Sequence, residues 1–168
     1  MANTNDIQAA KGFTLIEVLV TIIIIGILSA IALPTFINQA NKAKESESKT
    51  NVGSMNRMQQ SLYNETNRFG SELADLGIGI KTETENFTYS IRASFSSAIN
   101  LAHPKDMLKL RATVGAVQIN EPPGREITTL SQLCQSIVPG EANVQAIQFS
   151  PLDTEERPTC VNGYEDTQ

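Results

Sequence analysis

Few residues in this chain could do chemistry, and each stands in an informative place. Glu17 is the only charge in the run from residue 13 to residue 33, a stretch of 21 residues that is otherwise almost wholly apolar. A carboxylate carried into hydrocarbon costs a few kcal/mol. Glu17 therefore either reaches interfacial water or meets a positive partner inside an assembly. The two cysteines, Cys134 and Cys160, both fall in the last 35 residues. With the single His103 they are too few ligands for a metal site, so none is expected. In an oxidising compartment they would form a structural disulfide worth about 3 to 4 kcal/mol in the chain-entropy picture, with free buried thiols as the alternative. His103 precedes Pro104 and Lys105 and reads as an exposed loop residue rather than a general base. The chain carries no phosphate-binding glycine loop, no H-E-x-x-H and no cysteine ladder. No catalytic residue and no cofactor are expected, and the chain does not read as an enzyme.

The elements that position Glu17 follow from hydrophobic patterning. At about 1.5 Å per residue, a helix over residues 13–33 is roughly 31 Å long, which matches a bilayer core. Lys11, the apolar core over residues 18–28 and Ala30-Ile31-Ala32 also fit a secretory signal with an A-x-A cleavage site, which would remove the helix. Against that stand Glu17 ahead of the core, a run longer than a typical signal core, and a helical pattern that continues past Pro34. Beyond Pro34, Phe36, Ile37, Ala40 and Ala43, then Val52, Met55, Met58 and Leu62, recur at three- and four-residue steps. One helix is predicted from about residue 13 to residue 68, with Gly70 as its stop. Its first half is apolar all round and its second half is amphipathic, with Met55 and Met58 as packing residues. Pro34 removes one backbone donor and crowds the carbonyl of Ala30, and Gly26 adds a second weak point or a close-packing site. Lys11 is the only base before the span while Lys42, Lys44 and Lys49 follow it, so loop charge does not favour a cytoplasmic N-terminus.

These residues carry a family resemblance. Lys11-Gly12 ahead of Phe13-Thr14-Leu15-Ile16-Glu17, then a long apolar helix with Gly26 and Pro34, resembles the N-terminus of a type IV prepilin. The resemblance implies a cytoplasmic leader over residues 1–12, cut between Gly12 and Phe13 by a prepilin peptidase that also N-methylates Phe13. It implies that Glu17 pairs with the N-terminal amine of a neighbouring subunit, so that Phe13 and Glu17 together guide filament assembly. The segment between Gly26 and Pro34 can melt in related filaments. The partners implied are further copies of the chain, the peptidase and the assembly machinery of the cytoplasmic membrane. The localisation implied is single-pass with the head outside the cytoplasm, followed by an extracellular filament. Motility, adhesion and DNA uptake are the system-level roles. A type II secretion pseudopilin and a membrane-anchored binding domain that never polymerises are the alternatives, the latter predicting an uncut Gly12–Phe13 bond.

The remainder reads as one small head. The chain has 168 residues, 40% hydrophobic and 18% charged, with a net charge of −5. Removing residues 1–12 takes one acid and one base, so the balance stays negative and argues against capture of nucleic acid by the bulk surface. Residues 71–86 form a connector, with Ser71 capping a turn that carries Leu73 and Leu76; in pilins this loop helps set lateral contacts. Residues 86–92 alternate as a half-buried strand. Leu108, Leu110, Ala112 and Val114 alternate on one parity and Val117 and Ile119 on the other, which predicts a turn or bulge at Gly115. Residues 144–149 are a further strand. Phe87-Thr88-Tyr89-Ser90-Ile91, the later Val114-Gly115-Ala116-Val117 and a downstream cysteine look similar to the cyanobacterial branch, the type IV pilin-like G and H group. The fold expected is α+β: a transmembrane half over residues 13–34, an amphipathic half over 35–68, and a head over 69–168 with a small antiparallel sheet and a disulfide-closed C-terminal loop region. Asn64 and Asn86 head N-x-T patterns, which arise readily by chance and are not expected to be used.

Overall fold

The computed structural model describes residues 12–167. Of the expected leader, residues 1–11 lie outside the described residues. One helix, α1, runs from Leu15–Thr66, and its α-helical backbone continues through Gly26 and Pro34. The chain divides into two units, Met1–Gln39 and Ala40–Gln168.

In the first unit the helix is apolar and uncovered. Ile22, Ile23, Ile24, Ile25, Ile27 and Ile31 are all more than half exposed, and the segment is long and apolar enough to cross a membrane. Thr21, its one hydroxyl between Glu17 and Ser29, donates back to the carbonyls of Glu17 and Val18 at 2.7 and 2.8 Å. That leaves little polar surface to desolvate.

In the second unit α1 buries a stripe at three- and four-residue steps: Glu45, Ser48, Val52, Met55, Asn56, Gln59 and Tyr63. Met58 and Leu62 flank it, partly buried. The helix ends at Thr66 rather than Arg68, because Asn67 takes a left-handed backbone with φ 53°, which asparagine tolerates better than most residues. Gly70 is therefore not the stop. Gln59 lies against its backbone, donating to its carbonyl at 2.9 Å and accepting from its N–H at 2.8 Å. A Cβ at Gly70 would crowd Leu62 and Leu76 at 3.1 and 3.2 Å. The short helix α2, Leu73–Leu76, is capped by Asp75, whose carboxylate accepts the N–H groups of Ser71 and Glu72; the Ser71 side chain is not its principal cap.

Five antiparallel strands form the main sheet in the order β1-β2-β3-β4-β7: β1 Phe87–Ala93, β2 Ser97–Pro104, β3 Thr113–Asn120, β4 Thr128–Ser136 and β7 Tyr164–Asp166. Alternate residues of β3 face opposite layers. Thr113, Gly115 and Val117 face α1, while Val114 and Ala116 pack with Ala142, Ala146 and Ile147 from the C-terminal layer. All eight residues of β3 are buried.

That double burial corrects the expectation at Gly115. The register runs unbroken from Thr113↔Gln135 to Asn120↔Thr128, so no turn or bulge interrupts the strand. Leu108, exposed in a turn, and Leu110 precede β3 and belong to no strand; within β3 the change of apolar parity means that both faces are covered. Gly115 is where the helix comes closest: a Cβ there would collide with Asn56 Oδ1 and stand 2.6 Å from Val52 Cγ1. Gly115→Ala is expected to cost about 1–3 kcal/mol through overpacking, read as a lowered denaturation midpoint. An unchanged midpoint would contradict this account of the close approach.

Residues 144–149 also differ from expectation. A 3₁₀ turn, Val144–Ala146, is held by the Asn143 side chain accepting from Gln145 N at 2.9 Å. Only Ile147–Gln148 (β5) is extended, and it pairs with Thr159–Cys160 (β6) in a separate two-stranded sheet. Cys160 reaches Cys134 of β4 in a disulfide with a Cα–Cα separation of 5.7 Å. The bond ties the C-terminal layer to the sheet.

Candidate functional site

The expected site residues at the N-terminus occupy the exposed start of α1. Gly12 and Phe13 precede the helix, and Phe13 is 83% exposed. No described residue lies within 4 Å of where a Gly12 Cβ would stand. Among the described residues the Gly12–Phe13 bond lies in exposed, non-helical backbone.

Glu17 is held by its own chain. Its Oε2 accepts from Thr14 N at 2.9 Å and Thr14 Oγ1 at 2.8 Å, while Glu17 N points to Thr14 Oγ1 at 3.3 Å. Thr14-Leu15-Ile16-Glu17 is thus a capping box, with threonine at the N-cap and glutamate three residues on. The signature, a threonine followed three residues on by a glutamate ahead of an apolar run, is legible in the sequence. The box places an acid among the unpaired N–H groups of the first turn, where the helix dipole favours negative charge. It also leaves Glu17 with no cation among the described residues.

Gly26 and Pro34 lie on the same exposed helix, and no described residue stands within 4 Å of where a Gly26 Cβ would be. Cys134 and Cys160 are joined, far in sequence from residues 12–17. No group of acids, cysteines and histidines among the described residues could hold a metal.

His103 is not in a loop. It lies in β2, half-buried, with Nε2 3.3 Å from Ser90 Oγ and Nδ1 4.0 Å from Glu141 Oε1. The second separation is too long for a hydrogen bond, so the three side chains form no nucleophile relay. Burial pushes the imidazole pKa below its ordinary 6.5, against a raising effect of Glu141 and with a further lowering by Arg92.

Sequence reasoning also missed the polar clamp at the start of the buried stripe. Glu45, 6% exposed in its side chain, accepts from Arg111 N at 3.1 Å, Arg111 Nε at 3.0 Å and Gln135 Nε2 at 3.3 Å, and pairs with Arg111 Nη2 at 3.0 Å. Arg111 Nη1 reaches on to Glu165 in β7 at 3.0 Å. Its role is structural: it fixes α1 against the sheet at the end nearest residue 40.

Comparison with known proteins agrees with this layout. The family model of the prokaryotic N-terminal methylation motif matches residues 7–33, and that of type IV pilin-like G and H matches residues 45–160. The type IV major pilin protein PilA of Myxococcus xanthus is 42% identical over 67 residues, covering 40% of this chain and 30% of that one. The type IV wide pilus major component PilA4 of Thermus thermophilus is 34% identical over 83 residues, covering 49% and 63%. The fimbrial protein EcpC of Eikenella corrodens is 37% identical over 71 residues, covering 42% and 46%. The chain thus spans less than two thirds of the length of each of these relatives.

Proposed function

Because the chain belongs to the type IV pilin-like G and H family, we propose that it is the structural subunit of a type IV pilus. A prepilin peptidase cuts between Gly12 and Phe13 and Phe13 is N-methylated. Before assembly the chain waits in the cytoplasmic membrane with residues 13–34 as its span and its head on the far side. The assembly machinery then draws it into an extracellular helical polymer with copies of itself. One observation carries the reading: an uncovered apolar helix headed by Gly12-Phe13-Thr14-Leu15-Ile16-Glu17, within the matched methylation motif. A helix of this kind leaves lipid only if neighbouring helices replace the acyl chains. Motility, adhesion and DNA uptake are the roles such a filament would serve.

Intact mass of protein purified from membranes tests the proposal. A mature chain beginning at methylated Phe13 is expected. A chain retaining Met1 would point to an anchored domain that does not polymerise, and one beginning at Leu33 to a secreted product. Electron microscopy of the cell surface then separates a pilus from a secretion pseudopilus.

The reading also makes Gly26 and Pro34 the points where the helix gives way. Amides of residues 27–33 are expected to exchange faster in assembled filaments than those of the flanking helix, since Pro34 leaves the carbonyl of Ala30 without its helical donor. Full protection of that segment in filaments would contradict it.

A further inference from the structure

The C-terminal layer covers β3 and β4 but leaves a cleft of about 420 Å³ where it meets β1 and β2. Its walls carry Ser90 and Arg92 of β1, His103 of β2, and Glu141 and Asn143 of the loop after β4; Leu101 and Val144 supply apolar surface. We propose that this cleft binds a neutral hexopyranoside, with Arg92 of β1 and Glu141 of the loop after β4 gripping its hydroxyls.

The chemistry of the lining selects that class. A sugar ring offers hydroxyls that both donate and accept, beside a C–H face that is apolar. Arg92 supplies only donors and Glu141 only acceptors, while Ser90, His103 and Asn143 can each do both. Arg92 makes no ion pair among the described residues, so its fork of N–H groups is available for a paired contact with adjacent hydroxyls. The charge of Glu141 offsets that of Arg92, which disfavours a simple anion. Burial keeps His103 below its ordinary pKa, and the neutral ring has one donor and one acceptor nitrogen.

The loop that carries Glu141 and Asn143 is held before any ligand arrives. Tyr164 Oη accepts from Asn143 N at 3.1 Å and donates to the Glu141 carbonyl at 3.0 Å. Ala142, between them, is buried. Less ordering is then required on binding. The volume falls within the range of small-ligand sites and would hold one or two sugar rings.

The chain's single histidine makes the test direct, because every imidazole resonance belongs to His103. The full chain, in a detergent without a sugar headgroup, is titrated with the methyl glycosides of glucose, galactose and mannose. At least one is expected to shift the imidazole resonances saturably. Arg92→Ala and Glu141→Gln, both at exposed positions, are each expected to weaken that binding by at least about tenfold, the loss of one charged hydrogen bond. The proposal is overturned if no glycoside shifts the ring up to its solubility limit, or if both variants bind as the parent does. It is equally overturned if acetate or inorganic phosphate shifts the ring as tightly, which would make the cleft an anion site. The measurement uses unassembled protein, so its failure leaves the filament reading untouched, and failure of the filament reading leaves it untouched in turn.

Discussion

Glu17→Ala is expected to leave leader cleavage largely intact and to reduce surface filaments by more than tenfold. Among the described residues the carboxylate's hydrogen-bond partner is Thr14. A helix drawn from the membrane into a bundle of apolar helices would carry that charge into a site with little water, at a cost of about 2.5–3.5 kcal/mol or more. The amine created at Phe13 is the cation the proposal supplies, one subunit's amine meeting its neighbour's Glu17. Two further variants separate pairing from capping. Glu17→Gln keeps a side chain able to accept from Thr14 but has no charge, and it is expected to fail as alanine does. Thr14→Ala removes the cap, at about 1 kcal/mol, and keeps the charge; it is expected to retain most filaments. Abundant filaments from Glu17→Gln, or their loss only in Thr14→Ala, would show that the box shapes the helix start and that no amine is paired.

The second large effect lies in the head. Arg111→Ala is expected to lower stability by about 3–5 kcal/mol, because it leaves the Glu45 carboxylate buried without its cation. It also strips the link from α1 to β7 that runs through Glu165. The double variant Glu45→Met, Arg111→Leu is expected to recover most of the loss, since an apolar pair of similar size incurs no charge desolvation. Guanidinium denaturation followed by tyrosine fluorescence reads both, the chain having three tyrosines and no tryptophan. A single-variant cost below about 1 kcal/mol would mean that water reaches Glu45 and that the clamp is an ordinary surface pair.

Gly115 and Gly70 show where reading along the chain stops working. Both are glycines for reasons outside their immediate neighbours: Val52 and Asn56, about sixty positions away, for Gly115, and Gln59 and Leu62, two to three helical turns back along α1, for Gly70. Local rules assign glycine to turns and helix ends, and so placed a bulge and a stop that are absent. The strands β2 and β4 were missed for a related reason. Their buried positions include Asn100, Gln132 and Gln135, which read as surface residues until their partners are known. Asn100 donates to Asn56 at 2.8 Å, the Gln132 carbonyl accepts from Asn56 at 3.0 Å, and Gln135 reaches Glu45. Each of Asn100 and Gln135 gains one such side-chain bond, while Asn100 Oδ1 and Gln135 Oε1 stay buried without a partner among the described residues; polar groups go inside where a distant partner meets at least part of their need, and no linear pattern encodes that pairing.

By itself the sequence determined what short-range physics controls: a 21-residue apolar span with one acid near its start, a long helix with one face to bury, and an N-terminal methylation motif of adjacent residues. These depend on composition and on periods of three and four residues, which survive in one dimension. Tertiary structure alone decided which polar residues go inside, why β3 is apolar on both parities, and that His103 faces a cleft with Arg92 and Glu141. Each of those depends on which distant side chain arrives opposite, and that is set only once the helix, the sheet and the disulfide-tied C-terminal layer have packed together.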